Sequence, residues 1–251
     1  MPKLINVKSF KGGVGKTTTA INVSHALALK GKSVLLVDLD QQGNATQGLG
    51  HRVEPEHPTI FHVLTGEVKC ADAVATVRPN LDLLPSDNRT AAAEAALHLM
   101  MARENVLKKN LGKLTDYDFV VFDCSPNHGL LHINSLLAAT HILVPIEIGY
   151  WSIDGVDQIF RSMEEVGEAF GTMPELLGAL LTNVDERYAM TREVRELCEA
   201  SFADRILPFV RTDAELRKAP KNGQTIFEFN PNSKGAADYA AVTDKILELT
   251  A

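Results

Sequence analysis

Near the amino end two lysines bracket a run of glycines, Lys11-Gly12-Gly13-Val14-Gly15-Lys16, and Thr17-Thr18 follow. An apolar run at 4–7 leads in, and a helix-type pattern at 17–30, closed by Gly31, leads out. Glycines let the main chain curl until several N–H groups point inward, and a helix N-terminus adds partial positive charge. Together they form an anion nest sized for phosphates. In such a loop Lys16 can reach β- and γ-phosphates, and the Thr17 hydroxyl can ligate Mg2+. A second cluster, Asp38-Leu39-Asp40, closes the apolar run 34–37. Carboxylates at i and i+2 on a strand end point the same way and can order metal-bound waters and an attacking water. Asp123 closes the run 119–122 and can hold Mg2+ through water.

These groups need a frame that brings three chain segments to one edge. Six short apolar runs, at 4–7, 34–37, 81–84, 119–122, 142–146 and 176–181, are nearly continuous rather than alternating. That is the pattern of strands buried on both faces, as in a parallel sheet. Helix-length segments lie between and after them, at 17–30, 90–109, 129–139, 153–170, 191–202 and 236–249. Strand–helix–strand order repeated this often predicts a three-layer, doubly wound, mostly parallel α/β sheet flanked by helices. In such folds ligands sit beyond the carboxyl ends of the strands, where all three clusters fall. With 251 residues and no linker or repeat, a single domain spanning 1–251 is expected.

The loop departs from the ordinary phosphate-binding motif, which has glycine where Phe10 stands. Its extra lysine, Lys11, resembles the deviant Walker A box of the ParA/MinD family of P-loop ATPases. The resemblance runs from Leu4 to about Leu249 and is strongest from Lys11 to Gly48. It implies a site in which Lys11 reaches the phosphates of a partner subunit's nucleotide and Gly12, Gly13, Val14, Gly15, Lys16, Thr17 and Thr18 hold ATP. It also implies that Asp40 positions or polarises the lytic water and that Thr17, Asp38 and Asp123 serve the Mg2+ shell. Asn183, after the run 176–181, inherits the family's adenine-edge contact, and Pro208 its loop against the adenine ring. Two positions differ from the family pattern: Gln41 stands for a proline, and Cys124-Ser125-Pro126 replaces Cys-Pro-Pro. The stretch from Pro208 to Ala219-Pro220 is longer than the family's, which blurs the alignment there.

The net charge is −7, which argues against a protein coated in nucleic acid. The charge is uneven, however. From Glu147 to Glu199 twelve acids face four bases, whereas from Arg205 to Lys234 six bases face three acids. ParA proteins bind DNA without sequence preference through basic residues of this region once ATP has dimerised them, so the resemblance nominates Arg211, Arg217, Lys218 and Lys234. Salt-sensitive phosphate contact would follow from counterion release.

The resemblance therefore implies a slow, partner-stimulated ATPase. ATP and Mg2+ build a sandwich homodimer that binds double-stranded DNA, and a ParB-like adaptor triggers hydrolysis to segregate a plasmid or chromosome or to position a protein cargo. The expected location is cytoplasmic, on the nucleoid when ATP is bound. With the phosphate loop ten residues in, the ATPase module alone is expected. One alternative is a MinD-like membrane switch, but the tail 241–249 carries two acids and one base, unlike a basic membrane helix, so no membrane partner is expected. Another is a small-molecule ATP-dependent enzyme of the same fold. Cys70, Cys124 and Cys198 supply neither a disulfide framework nor a paired cluster motif. His128 and His132 have helical spacing but no third metal ligand, and Tyr150-Trp151 reads as interface packing.

Overall fold

A computed structural model describes residues 2–148, 154–187 and 189–251. The Tyr150-Trp151 reading and the expected helix start at Ile153 lie outside the described residues. In chain order the elements are β1 (Lys3–Val7), α1 (Lys16–Leu29), β2 (Val34–Asp38), α2 (Asn44–Gly48), α3 (Ile60–Thr65), β3 (Ala75–Arg78) and β4 (Leu81–Leu84). Then come α4 (Thr90–His98), α5 (Val106–Leu111), β5 (Phe119–Asp123), α6 (Leu130–Ala138), β6 (His141–Glu147) and α7 (Asp154–Phe170). The chain closes with β7 (Glu175–Thr182), α8 (Ala189–Phe202), α9 (Glu215–Lys218), α10 (Ile226–Phe229) and α11 (Lys234–Leu249).

The seven strands form one sheet in the order β3-β4-β2-β5-β1-β6-β7. Every pair is parallel except β3 with β4. β2 and β5 are buried along their whole length, which explains their unbroken apolar runs. Alternate residues feed opposite layers. Val34, Leu36 and Val121 pack with α1 and α11 through Ile21, Leu27, Tyr239, Val242 and Ile246. Leu35, Val37, Val120 and Phe122 pack on the other face with α3, α4 and α5. A further core on that face joins β6 and β7 to α7 and α8 through Ile159, Met163, Val194 and Phe202. The apolar side of the C-terminal helix is thus spent on the core.

Two features depart from the sequence expectation. The helix expected over 90–109 is two helices, separated by a turn in which Ala102 has φ 52° and by a 3-10 turn at Arg103–Asn105. The break is imposed from outside the segment. Asn134 of α6 donates to the Arg103 carbonyl and accepts from the Leu107 N–H, taking main-chain groups that a continuous helix would have used. β3 was not expected at all: it has only four residues and runs antiparallel on the sheet edge.

Candidate nucleotide and magnesium site

β1 runs straight into the phosphate loop, and α1 begins at Lys16. Gly13 and Gly15 have φ of 81° and 85°, a left-handed conformation that side-chain-bearing residues rarely adopt. Gly15 is the first cap of α1, and its carbonyl accepts the Thr19 N–H at 2.8 Å. The Thr182 hydroxyl at the end of β7 donates to the Val14 carbonyl at 2.9 Å, pinning the loop to a second strand end. Lys16 is buried, and its Nζ donates to the Lys11 carbonyl at 3.0 Å. Burial lowers its pKa, while Asp123 and Asp40 pull it back up.

Asp38 and Asp123 are register partners on adjacent parallel strands, so their carboxyls lie side by side. Asp38 is fully buried and already occupied: Oδ2 accepts the Thr46 N–H at 2.9 Å and the Thr46 hydroxyl at 2.7 Å, and Oδ1 accepts the Asp40 N–H at 3.1 Å. Its pKa rises to about 6, because burial outweighs those hydrogen bonds and the Asp40 charge adds to it. Asp123 is buried as well, yet neither oxygen accepts a well-formed hydrogen bond. Burial, then the Asp38 charge, push its pKa well up; the nearby Thr17 hydroxyl and Lys16 oppose this. An orphaned buried carboxylate beside a second carboxylate is the chemistry of a hard-cation site, so the residues present fit Mg2+. Asp123 and Thr17 are suited to hold it. Asp38, expected in the metal shell, also fixes the turn that carries Asp40. Asp40 is half-buried; its Oδ1 accepts the Gln42 N–H, and its carbonyl accepts the Ser86 hydroxyl.

Beyond the strand ends lies a cavity of about 360 Å3, lined by Gly13, Gly15, Thr17, Thr18, Asn183 and Arg217 among others. Asn183 follows β7 with φ 54°, and its Nδ2 donates to Glu147 at 3.2 Å. Pro208 does not line this cavity. Its segment runs parallel beside β7, bridging at Ile206 and Arg211, and the wall there is built by Val210, Arg211 and Asp213. A larger cavity of about 490 Å3, lined by Val63, Met101 and Lys109, shares none of these groups.

Among the four basic residues, Arg211 lines one cavity with Arg217 and another with Lys234. Arg211 makes a forked pair with Asp238, with Nη2 at 2.6 Å and Nε at 3.0 Å, and its side chain stays partly exposed. Asp238 was the missed partner; it lies one turn into α11, where no local pattern marks it. Arg217 is exposed and faces the nucleotide cavity. Lys218 is exposed and paired with Glu215 at 2.7 Å. Lys234 is exposed at the start of α11, beside Asp185, Glu186 and Arg187.

Sequence reasoning also passed over Lys8. Its side chain is buried, and Nζ donates to the carbonyls of Ser125 at 2.7 Å and Asn127 at 3.1 Å. The ammonium stands 4.8 Å from the Phe10 ring centre, and that ring stacks on His128 at 3.6 Å. Burial brings the Lys8 pKa down to about 8. The available signal was a charge directly after the buried run 4–7. His132 is no metal ligand: its Nε2 is 2.6 Å from the Ser162 hydroxyl, and burial lowers its pKa to about 3, keeping it neutral. No group of three or more metal-ligating His, Cys, Asp or Glu occurs among the described residues. Cys124 donates to Asn6 Oδ1 and is pushed up to about 11 by burial, which marks an inert thiol.

A glycine loop between a central parallel strand and its helix, a lysine at the helix start and aspartates closing β2 and β5 define a P-loop nucleoside triphosphatase. Residues 2–176 match the family described as AAA domain. Sporulation initiation inhibitor protein Soj of Bacillus subtilis (strain 168) is 35% identical over 98% of both chains. Chromosome partitioning protein ParA of Caulobacter vibrioides is 31% identical over 98% of this chain and 94% of its own. Among solved structures, a cobyrinic acid a,c-diamide synthase from Mycobacterium smegmatis, with bound ATP analogue and magnesium, superposes with a TM-score of 0.85. It is 33% identical and covers 99% of this chain and 95% of its own. The chain belongs to the ParA/MinD family of deviant Walker A ATPases and is of the ParA/Soj type.

Proposed function

We propose that this protein is a positioning ATPase that uses ATP and Mg2+ to switch between a free monomer and a DNA-bound dimer. The observation that carries the reading is the arrangement around Lys11. Its carbonyl holds the Lys16 ammonium, while its own side chain takes part in no ion pair among the described residues. Lys16 must leave that carbonyl to meet its own phosphates, and Lys11 is then free to meet those of a second subunit. Asp123 and Thr17 would hold Mg2+, which would supply charge neutralisation at the phosphates. Asp40, held by its turn, orients a water for attack on the γ-phosphorus and accepts its proton. The P–O bond to ADP breaks as the bond to water oxygen forms. Lys16 and the partner's Lys11 balance the charge that gathers on the transferring group.

Two copies of the Lys218 and Lys234 surfaces then lie in one particle, and doubling a modest positive field favours DNA only in the dimer. An adaptor of the ParB kind would stimulate turnover and release, so the isolated protein turns over slowly. This locates it in the cytoplasm, on the nucleoid while ATP is bound. Size-exclusion chromatography with light scattering on Asp40→Ala tests the reading. A dimer in Mg2+ and ATP, and a monomer in ADP, is expected; a monomer in both contradicts it. A second reading, a small-molecule ATP-dependent enzyme, is favoured by the likeness to the cobyrinic acid a,c-diamide synthase structure. Fast turnover without DNA or an adaptor would support that reading.

A further inference from the structure

The loop between Asp123 and α6 is held in an unusual way. Residues 125–128 make no main-chain to main-chain hydrogen bond among the described residues. The two bonds that fix their carbonyls both come from Lys8 Nζ, to Ser125 and to Asn127. Lys8 leads directly into the phosphate loop, two residues ahead of Phe10, whose ring then lies flat on His128 of the same loop. The ammonium stands over that ring as well. Burying a lysine is costly unless its donors are used, so a fully buried lysine whose partners are two loop carbonyls marks a committed tether.

We propose that Lys8 is a positioning residue for ATP hydrolysis. Its ammonium and the Phe10–His128 stack join the loop after Asp123 to the phosphate loop, so that the two segments around the γ-phosphate hold one geometry. Lys8 does not line the nucleotide cavity, and its two hydrogen bonds go to the 125–128 main chain, through which it acts. The effect should appear in turnover and not in affinity, because a slack loop after Asp123 misplaces reacting groups while the phosphate nest stays intact. This inference rests on the ATPase reading above for its kinetic half. Its structural half, the tether, stands without it.

The test compares Lys8→Met, which keeps length and removes the donors, with Lys8→Arg, whose guanidinium can serve both carbonyls. Backbone 15N relaxation is read at Asn127, His128 and Gly129 without nucleotide. Loss of two charge-assisted bonds should lower the order parameters there from the rigid range toward the flexible one in Lys8→Met, with arginine restoring them. Steady-state turnover should show kcat down about tenfold in Lys8→Met, KM for ATP within about threefold, and both recovered in Lys8→Arg. Unchanged order parameters at those positions, or a loss of ATP affinity that matches the loss of kcat, overturns the proposal. The exposed residue His128 supplies a variant that does not disturb the core. His128→Ala should also lower the order parameters at Asn127 and Gly129, and wild-type values there overturn the proposal too. A wild-type protein without ATPase activity would defeat the proposed function alone, since the relaxation experiment still decides the tether.

Discussion

Replacing Asp123 with asparagine should make the nucleotide-free protein more stable, not less. Asp123 has both carboxyl oxygens buried without well-formed partners, next to the equally buried Asp38. Folding raises the pKa of each. A carboxyl raised in this way stabilises the fold while protonated, below its unfolded value, and that contribution is lost as pH rises through the folded value. For Asp38 the window runs from the ordinary 3.8 to about 6, which at 1.36 kcal/mol per unit is about 3 kcal/mol. Asparagine at 123 carries no charge to desolvate and relieves the repulsion on Asp38. The asparagine amide is left as unpaired as the carboxyl was, so the gain is the charge contribution alone, about 1–3 kcal/mol at pH 8 and bounded by the roughly 3 kcal/mol that ionising Asp38 costs. For a chain of this size it is a rise of about 2–10 °C in Tm. The gain should shrink as pH falls, because the raised Asp123 carboxyl takes up its proton in the wild type. Thermal melts in EDTA from pH 5 to 8 read the difference. Mg2+ with ADP should reverse the order, stabilising the wild type and scarcely the variant. An asparagine variant less stable than wild type at pH 8 in EDTA would refute the argument that these carboxylates await a cation.

Reversing charge at Lys218 and Lys234 together should weaken binding to random duplex DNA and lower the salt slope by about two counterions per protomer, with ADP affinity unchanged. An unchanged slope would remove both residues from the interface. Arg217→Glu should weaken ADP and DNA binding alike, since that side chain faces the nucleotide cavity. Gly178→Ala should destabilise the protein by about 2 kcal/mol or more: a Cβ there would overlap the Leu207 side chain and stand 2.5 Å from the Arg205 carbonyl oxygen. A neutral result in chemical denaturation would contradict the packing of segment 206–212 on β7.

What was legible in the sequence was whatever a local pattern encodes. Six strand cores and the phosphate loop follow from apolar runs and glycine spacing, and Asp38, Asp40 and Asp123 fall at strand ends as expected. What escaped was decided by side chains far away in the chain. Asn134 breaks the helix over 90–109, although that stretch, rich in alanine and leucine, favours helix. Asp238 claims Arg211 from 27 residues away. Lys8 finds its carbonyl partners more than a hundred residues downstream, so its charge at a strand end could be noticed but not interpreted. The Thr46 bonds to Asp38 escaped for the same reason: the spacing of Asp38 from Asp40 was visible, but its partner Thr46 was not.

The central claim is that nucleotide state switches DNA binding. An electrophoretic mobility shift with random-sequence duplex DNA, in Mg2+ with ATP or with ADP, tests it most directly. The account predicts a salt-sensitive shift with ATP, strengthened in Asp40→Ala, and none with ADP. A shift of equal strength in both nucleotides, or none in either, would contradict it.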